Sequence, residues 1–302
     1  MLSVVFLLFL AVDANQGKAL LQRGLIALQH GQLSEARTDL EGASHADPGN
    51  PYIWTSLAQT YLRLDESGKA ESAASKAEQL GGTNPVVVHA LGIFSFEYAQ
   101  VLLHREDFTK AANVLSAALQ ASPDNAQLTL ALGVARYGQR RFDDAIEEFL
   151  KVIQIDPSID QSYAFLGRML DQAGTRLPEI TADYEAWAKS SPQNAKAQLL
   201  LAEALLASDE HSQRAEELLR RSVALDPKNW ESHYQLGVLL ANKHDYQAAA
   251  AELARSIELD PKQAVVHYHL ARVYDRLGQL ENAKAEREIH QQLTAEPNSR
   301  PQ

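Results

Sequence analysis

The side chains with the greatest chemical potential in this sequence are an acidic run at 143–148 and the ten histidines. The run Asp143-Asp144-Ala145-Ile146-Glu147-Glu148 is of a kind that can bind a divalent metal ion through paired carboxylates. Such a site needs a second acidic cluster that lines an apolar cavity, and the sequence offers none. Carboxylates at the start of a helix also complement its dipole. We therefore expect this run to form the first turn of a helix and not a metal site.

The histidines supply a second candidate metal site. His233 and His267 are 34 residues apart, at equivalent positions of the repeat described below, so a zinc-binding pair is one interpretation. The other interpretation, which we favour, is that the two rings pack in equivalent places. His267 and His269 are two residues apart on a helix and so point to different faces. We expect no metal and no cofactor.

Catalytic motifs are absent from the sequence. It contains no His-Glu-x-x-His, no glycine-rich phosphate loop and no Gly-x-Ser-x-Gly. It also has no cysteine, which excludes disulfides, thiolate metal ligands and a cysteine nucleophile. We predict that the protein is not an enzyme. The alternative of another class is a metal-dependent helical enzyme built around His233 and His267.

Prolines recur along the chain with a period near 34 residues. Pro123, Pro157, Pro192, Pro227 and Pro261 are 34, 35, 35 and 34 residues apart. A fixed period of this size is typical of a solenoid, in which one supersecondary unit is stacked repeatedly.

The best-preserved unit predicts two antiparallel amphipathic helices, an A helix and a B helix. With Trp230 as position one, apolar or small residues at positions seven, eight and eleven share one stripe of the A helix. Ala249 and Leu253, at positions twenty and twenty-four, share one stripe of the B helix. We expect Gly237 at position eight to face Ala249, because small residues on both helices let the backbones approach closely.

This pattern resembles the tetratricopeptide repeat family, with its aromatic, Leu-Gly or Leu-Ala, aromatic, Ala, aromatic or Leu, and Pro. Three units carry it at Trp54, Leu57, Ala58, Tyr61, Ala70 and Ala77; at Leu132, Gly133, Ala145, Phe149 and Pro157; and at Leu270, Ala271, Tyr274, Gly278 and Ala283. The resemblance implies an all-α fold, a right-handed α-solenoid of eight stacked helix–turn–helix repeats. The solenoid is expected over 15–294, with repeats near 17–50, 51–84, 92–125, 126–159, 160–194, 195–229, 230–263 and 264–294.

Two stretches depart from the repeat. Between the second and third units, the stretch 81–91 adds residues and so lengthens the repeat spacing, either as a loop or as an extension of the next helix. In the fifth unit the B helix is expected to start at Pro178, and Ile180 and Trp187 replace small residues, so the helix pair should be splayed or shifted. Such irregularities bend a solenoid, mark a binding site, or reflect sequence drift, which is the simplest account.

The end of the repeat array is also predicted from its polarity. Each unit buries one face against the next, so the last helix must be polar on its outer side. Position twenty-four, Leu253 in the seventh unit, is Arg287 in the eighth. We expect the last B helix to be the cap, with Ala283, Ile289 and Leu293 facing inward and residues 295–302 forming a disordered tail.

The charge and the N-terminus bear on partners and location. The net charge of −11 argues against a nucleic-acid partner, which needs clustered Lys and Arg. The apolar run Leu2–Val12 is shorter than the ~20 residues of a membrane span, so we predict no integral membrane span. The run fits the core of a signal peptide at 1–14, although no basic residue precedes it. We predict a periplasmic or secreted protein; the alternative is a cytoplasmic protein whose residues 1–14 form a capping helix.

The resemblance implies that the A helices line a concave groove, in which extended peptides or partner helices bind. Residues at positions two, five, nine, twelve and thirteen are expected to face it, and Tyr and Arg often dominate interfaces. The predicted partner-binding residues are Tyr52, Thr55, Gln59, Arg63, Phe96, Gln100, Tyr137, Arg168, Tyr234, Tyr268 and Arg272. We predict a non-enzymatic scaffold or adaptor for a protein or peptide partner in a bacterial cell envelope; a cytoplasmic adaptor or co-chaperone-like module is the alternative. The sequence does not indicate an oligomeric state.

Overall fold

The computed structural model describes residues 2–295, with side chains from residue 16 onward. Within that range the chain forms sixteen α-helices and two short 3-10 helices, and no strand. The predicted all-α fold is thus confirmed. Residues 296–302, most of the predicted tail, lie outside the described residues, and Ala295 is the last residue of the last helix rather than part of a tail.

The helices divide into two compact units, Met1–Ile155 and Asp156–Gln302. Each unit holds four successive pairs of an A helix and a B helix. The first unit contains α1 (Leu2–Gln29), α2 (Leu33–Ala46), α3 (Pro51–Arg63), α4 (Ser67–Gly81), α5 (Pro85–His104), α6 (Phe108–Ala121), α7 (Ala126–Gly138) and α8 (Phe142–Ile155). The second contains α9 (Asp160–Gly167), α10 (Leu177–Ser190), α11 (Ala195–Ser208), α12 (Gln213–Leu225), α13 (Trp230–Asn242), α14 (Tyr246–Leu259), α15 (Ala264–Arg276) and α16 (Leu280–Ala295).

Asparagine side chains begin most of the A helices. In each case the side-chain oxygen accepts a hydrogen bond from a backbone N–H two or three residues later, which satisfies one of the unpaired donors of the first turn. These caps are Asn50, Asn84, Asn125, Asn194 and Asn229. Asp107, Ser212 and Asp245 cap B helices in the same way. The sequence therefore encodes the helix starts locally, one by one.

The A and B helices of a pair meet closely at position eight, as predicted, and the nearest side chain is that of position twenty-four. A Cβ atom placed on Gly237 would lie 2.7 Å from Leu253 Cγ. Leu253 is at position twenty-four, so the atoms nearest to Gly237 belong to the residue one helical turn after the predicted partner Ala249. Ala249 is itself fully buried. The glycine makes room for a large side chain of the B helix.

The insertion after the second unit is helical. Of the two alternatives, the structure shows the extension: α5 begins at Pro85, directly after its cap Asn84, and has 20 residues. Phe94, Tyr98 and Ala99 are buried in the core of the first unit. By length and composition α5 could also cross a membrane, and it is the one such helix among the described residues.

The fifth repeat is interrupted in its A helix. α9 has only eight residues, whereas the other A helices have 13 or more. After Gly167 the chain forms two 3-10 turns, Leu170–Gln172 and Gly174–Arg176, and α10 begins at Leu177 with Pro178 in its first turn. The predicted start of the B helix is therefore off by one residue, and the irregularity lies in the A helix before it.

Candidate partner-binding surface

In the first unit, two predicted partner-binding residues join neighbouring repeats. Asn84 Nδ2 donates a hydrogen bond to the exposed Tyr52 hydroxyl oxygen at 3.1 Å. The exposed Arg63 guanidinium is paired with Glu97 of α5, with Nη2 and Oε1 3.3 Å apart. Exposed ion pairs of this kind contribute little to stability. Both side chains thus remain accessible at the surface.

Thr55 is not part of the accessible surface, which corrects its prediction as a binding residue. It is only 6% exposed, and its hydroxyl donates to the Tyr52 carbonyl oxygen at 2.9 Å. Phe96, at the same repeat position, is half-buried against the core of the first unit. Position five is therefore covered by the protein to different extents in these two repeats.

The remaining predicted residues of the first unit differ in their exposure. Gln59 is half-buried and Gln100 is exposed. Tyr137 is half-buried, and its ring meets Phe142 edge to face with centroids 5.8 Å apart. None of the three lines either of the two pockets described below.

In the second unit, three predicted residues do come together. The ring of His269 lies between Tyr234 and Tyr268, with centroid distances of 5.6 and 5.3 Å and edge-on geometry in both contacts. The Arg272 guanidinium carbon lies 5.6 Å from the Tyr268 ring centroid, a cation–π geometry. We call Tyr234, Tyr268, His269 and Arg272 the aromatic cluster. It combines an exposed tyrosine and an exposed arginine, both on α15, with the half-buried Tyr234 of the adjacent A helix α13.

A small pocket of about 250 Å³ adjoins the aromatic cluster. His269 and Arg272 line it, together with His211, His244 and Arg276. Burial lowers the pKa of His269, and the charge of Arg272 lowers it further. His269 is therefore a neutral ring near pH 7, and the permanent positive charge of this pocket comes from its two arginines.

A larger pocket, about 450 Å³, lies where α9 is interrupted. Arg168, a predicted residue, directly follows α9 and lies at this pocket with its guanidinium over the Phe165 ring. The other lining residues are Ala164, Gly167, Leu170, Asp171, Lys196, Leu200, Glu203, Leu206, Ala207, Glu231 and Gln235. We call this cavity the α9 pocket.

Glu203 is a side chain of the α9 pocket with an unusual pKa. Gln235 Nε2 donates to Glu203 Oε1 at 2.9 Å. Burial raises the pKa of the carboxyl group to about 8, and the nearby Glu231 contributes to the rise. Glu203 is thus mostly protonated at pH 7. The same burial and the Glu203 charge raise the pKa of the neighbouring Tyr234 phenol.

The two histidines considered for zinc are hydrogen-bonded on both ring nitrogens. Nδ1 of His233 lies 2.7 Å from Glu252 Oε2, and Nε2 lies 3.2 Å from the Pro227 carbonyl oxygen. His267 repeats the arrangement with Glu286 and the Pro261 carbonyl oxygen. Hydrogen bonds to the protein, not ring packing, therefore explain this pair.

The acidic run at 143–148 is in the first two turns of α8, as expected from its position. Asp144 pairs with Arg141, and Ala145 and Ile146 are buried. Over the residues that the structure describes, no group of three or more histidines and carboxylates is placed to hold a metal ion.

Sequence reasoning missed Glu203, Gln235 and His269. Glu203 occupies position nine of the sixth repeat, the position that holds Gln59, Gln100, Arg168 and Arg272 elsewhere. A carboxylate among amides and arginines was a signal that could have been used. Gln235 and His269 are at position six, which was assigned to neither packing nor binding.

Comparison with known proteins agrees with this architecture. Two family models, both described as tetratricopeptide repeat, match the chain: one over residues 21–85, 96–158 and 209–264, the other over 253–285. A curated relative, the cytochrome c-type biogenesis protein CycH of Pseudomonas aeruginosa, is 27% identical over 150 residues. That match covers 49% of this chain and 35% of CycH, so the chain spans about a third of that relative.

Two solved structures illustrate the shared fold. PilW, a type IV pilus biogenesis factor, superposes with a TM-score of 0.56 at 18% identity, covering 68% of this chain and 95% of PilW. Yeast Tom70 superposes with a TM-score of 0.52 at 16% identity, covering 86% of this chain and 56% of Tom70. At these identities the likeness concerns the fold alone.

Proposed function

Because the chain belongs to the tetratricopeptide repeat family, we propose that it is a non-enzymatic adaptor that binds segments of partner proteins along its A helices. The observation that carries the proposal is the aromatic cluster. Tyr268 is 44% exposed and lies under Arg272, on a surface that the fold leaves uncovered. Tyrosine and arginine in this arrangement are the residue types that most often dominate binding energy.

The partner in this proposal is a protein or peptide and not a nucleic acid. The net charge of −11 would repel phosphates, and the arginines at the surface are largely paired with carboxylates, as in Arg63–Glu97 and Arg214–Glu185. The name of CycH, a cytochrome c-type biogenesis protein, supports a role in the assembly of another protein.

We also propose export to a bacterial cell envelope. The support is the apolar run Leu2–Val12, which lies within α1 and continues without a break into the first repeat. If residues 1–14 are removed during export, the mature protein retains α1 from residue 15 onward, which is enough to pair with α2. A cytoplasmic adaptor with an intact α1 is the alternative. Fractionation of cells that express the chain with its own leader, followed by N-terminal sequencing, distinguishes the two: intact Met1 on cytoplasmic protein would reject export.

The binding role is tested by removing the aromatic cluster from the surface. The double variant Tyr268→Ala, Arg272→Ala should lose at least about thirtyfold in affinity for a partner identified by crosslinking, since a single hot-spot residue contributes about 2 kcal/mol or more. The matched control is Arg255→Ala, which removes an exposed arginine from the B helix α14. Calorimetry on both variants gives the affinities. Equal affinities for the double variant and the control would reject the aromatic cluster as a binding surface.

A further inference from the structure

The α9 pocket is lined by charged and polar side chains whose arrangement the adaptor role does not explain. Its wall is built by α9, the 3-10 turn after it, α11 and α13, all within the second unit. Glu203 lies on α11 one turn from Leu200, with Gln235 and Glu231 opposite it on α13. The volume of about 450 Å³ is within the range of roughly 300–1,000 Å³ found for ligand sites.

The charges around Glu203 are unbalanced. The groups that act on its carboxyl group are Glu231, which opposes its ionisation, and the Gln235 amide, which favours it weakly. Within the described residues neither Glu203 nor Glu231 forms an ion pair with a basic side chain. Ionising a largely desolvated carboxyl group without a counter-ion is costly, so Glu203, which is only partly exposed, keeps its proton below its pKa of about 8.

The positive charges of the α9 pocket are at its mouth. Arg168 and Lys196 are both exposed, and the Arg168 guanidinium lies over Phe165 rather than against a carboxylate. Asp171 on the 3-10 turn also lines the pocket, and burial, followed by the Glu203 charge, raises the pKa of Tyr184 on α10 and of Tyr234 on α13. Tyr184 donates its hydroxyl to the Tyr163 carbonyl oxygen at 2.8 Å, so it supplies no charge.

We propose that the α9 pocket receives the charged end of a lysine or arginine side chain from a partner protein, with the Glu203 carboxylate as its counter-ion. The proposal rests on the adaptor role proposed above and names the chemistry of one contact. An incoming ammonium or guanidinium group supplies the missing counter-charge for Glu203 and Glu231 together, while Gln235 holds the carboxylate in place. Binding releases the proton of Glu203 to solvent.

This coupling gives binding a characteristic pH dependence. A cation must bind the ionised form of Glu203, and that form is the minor one below its pKa of about 8. Affinity should therefore rise up to tenfold for each pH unit between about pH 6 and about pH 8, and level off above. Guanidinium stays charged throughout this range, so the rise cannot come from the probe.

The first experiment uses side-chain analogues, n-propylguanidinium and n-butylammonium, added to the full-length protein. Binding is followed by NMR through the side-chain amide signals of Gln235, which contacts Glu203. We expect a saturable shift with the pH dependence just described.

Glu203→Gln should weaken binding at least tenfold and abolish the pH dependence, whereas Glu217→Gln, which removes an exposed carboxylate from α12, should change neither. Glu231→Gln should move the midpoint to lower pH. A thermal melt confirms that each variant is folded.

Three results would overturn the proposal: no saturable shift, an equal shift in Glu203→Gln, or binding of propionate in place of the cations.

To distinguish a protein side chain from a free amine, a blocked peptide with a central lysine is compared with the same peptide carrying glutamine. The lysine peptide should bind more tightly than n-butylammonium; the reverse order would assign the α9 pocket to a small molecule. If no cation binds while an identified partner still binds the protein, this proposal fails and the adaptor role stands.

Discussion

At position four of the repeat, different side chains perform one task. Trp54, Tyr163, His233 and His267 each lie within hydrogen-bonding distance of the carbonyl oxygen of the proline six residues earlier, at 2.9, 3.2, 3.2 and 3.0 Å. Each donor ties the A helix to the turn that precedes it. The histidines have a second function, because Nδ1 also reaches a carboxylate of the B helix. Two aligned histidines are therefore a feature of the repeat and not of a metal site.

The first prediction follows from this equivalence. His233→Tyr can keep a donor for the Pro227 carbonyl oxygen, as Tyr163 does for Pro157, whereas His233→Phe cannot. Both variants lose the contact with Glu252. We expect the Phe variant to be less stable than the Tyr variant by about 1 kcal/mol, the net contribution of one hydrogen bond. Urea unfolding measures the difference, and Tyr163→Phe should show a loss of the same size. Equal stabilities of the two His233 variants would mean that the proline contact contributes nothing.

At the scale of helices, glycine has opposite consequences in different places. A Cβ atom on Gly237 would lie 2.7 Å from Leu253 Cγ, whereas one on Gly92 would meet nothing within 4 Å. Gly92 lies inside α5, where glycine costs about 1 kcal/mol relative to alanine. The same residue type thus provides necessary space in α13 and only flexibility in α5.

A matched pair of substitutions tests this difference. Gly92→Ala should stabilise the protein by up to about 1 kcal/mol. Gly237→Ala gains the same helix propensity but must push Leu253 aside, and overpacking costs about 1–3 kcal/mol, so it should destabilise the protein. Chemical denaturation of both variants gives the two changes in free energy. Two changes of the same sign would show that the helix pair α13–α14 is more loosely packed than the contact with Leu253 indicates.

The helices were predictable because their signals are local, and the α9 pocket was not. Proline spacing, asparagine caps and small residues at fixed positions each act within one repeat. At the end of α9, Gly167 packs against the next repeat, where an added Cβ atom would lie 2.6 Å from Leu200 Cδ2. Similarly, the pKa of Glu203 depends in part on Glu231 of the next repeat. Periodicity shows which positions are equivalent but not which neighbour covers them.

At the scale of the whole chain, the period continues through the division into two units. Pro157 keeps the regular spacing, so the sequence does not indicate that a compact unit ends at Ile155. The last helix, in contrast, has the polarity expected of a cap. In α16 only Ala283 is buried and Leu293 is half-buried. Ile289, which was predicted to face inward, is exposed at 36%, so that part of the prediction is wrong.

The role of α16 as a cap is open to a truncation test. α16 is attached to α15 by polar contacts: Glu286 with His267, Arg287 with Asp275 at 2.7 Å, and His290 Nδ1 with the Ala264 carbonyl oxygen at 2.9 Å. A chain that ends at Ala295 keeps all of them and should melt like the full-length protein.

A chain that ends at Gly278 leaves His267 without its carboxylate and uncovers Leu270 and Ala271, which are buried in the full-length protein. Exposed apolar surface of this kind promotes association between chains, so the shorter chain should melt earlier and aggregate in light scattering. If it instead stays monomeric with an unchanged melt, α16 is dispensable and α15 itself must serve as the cap.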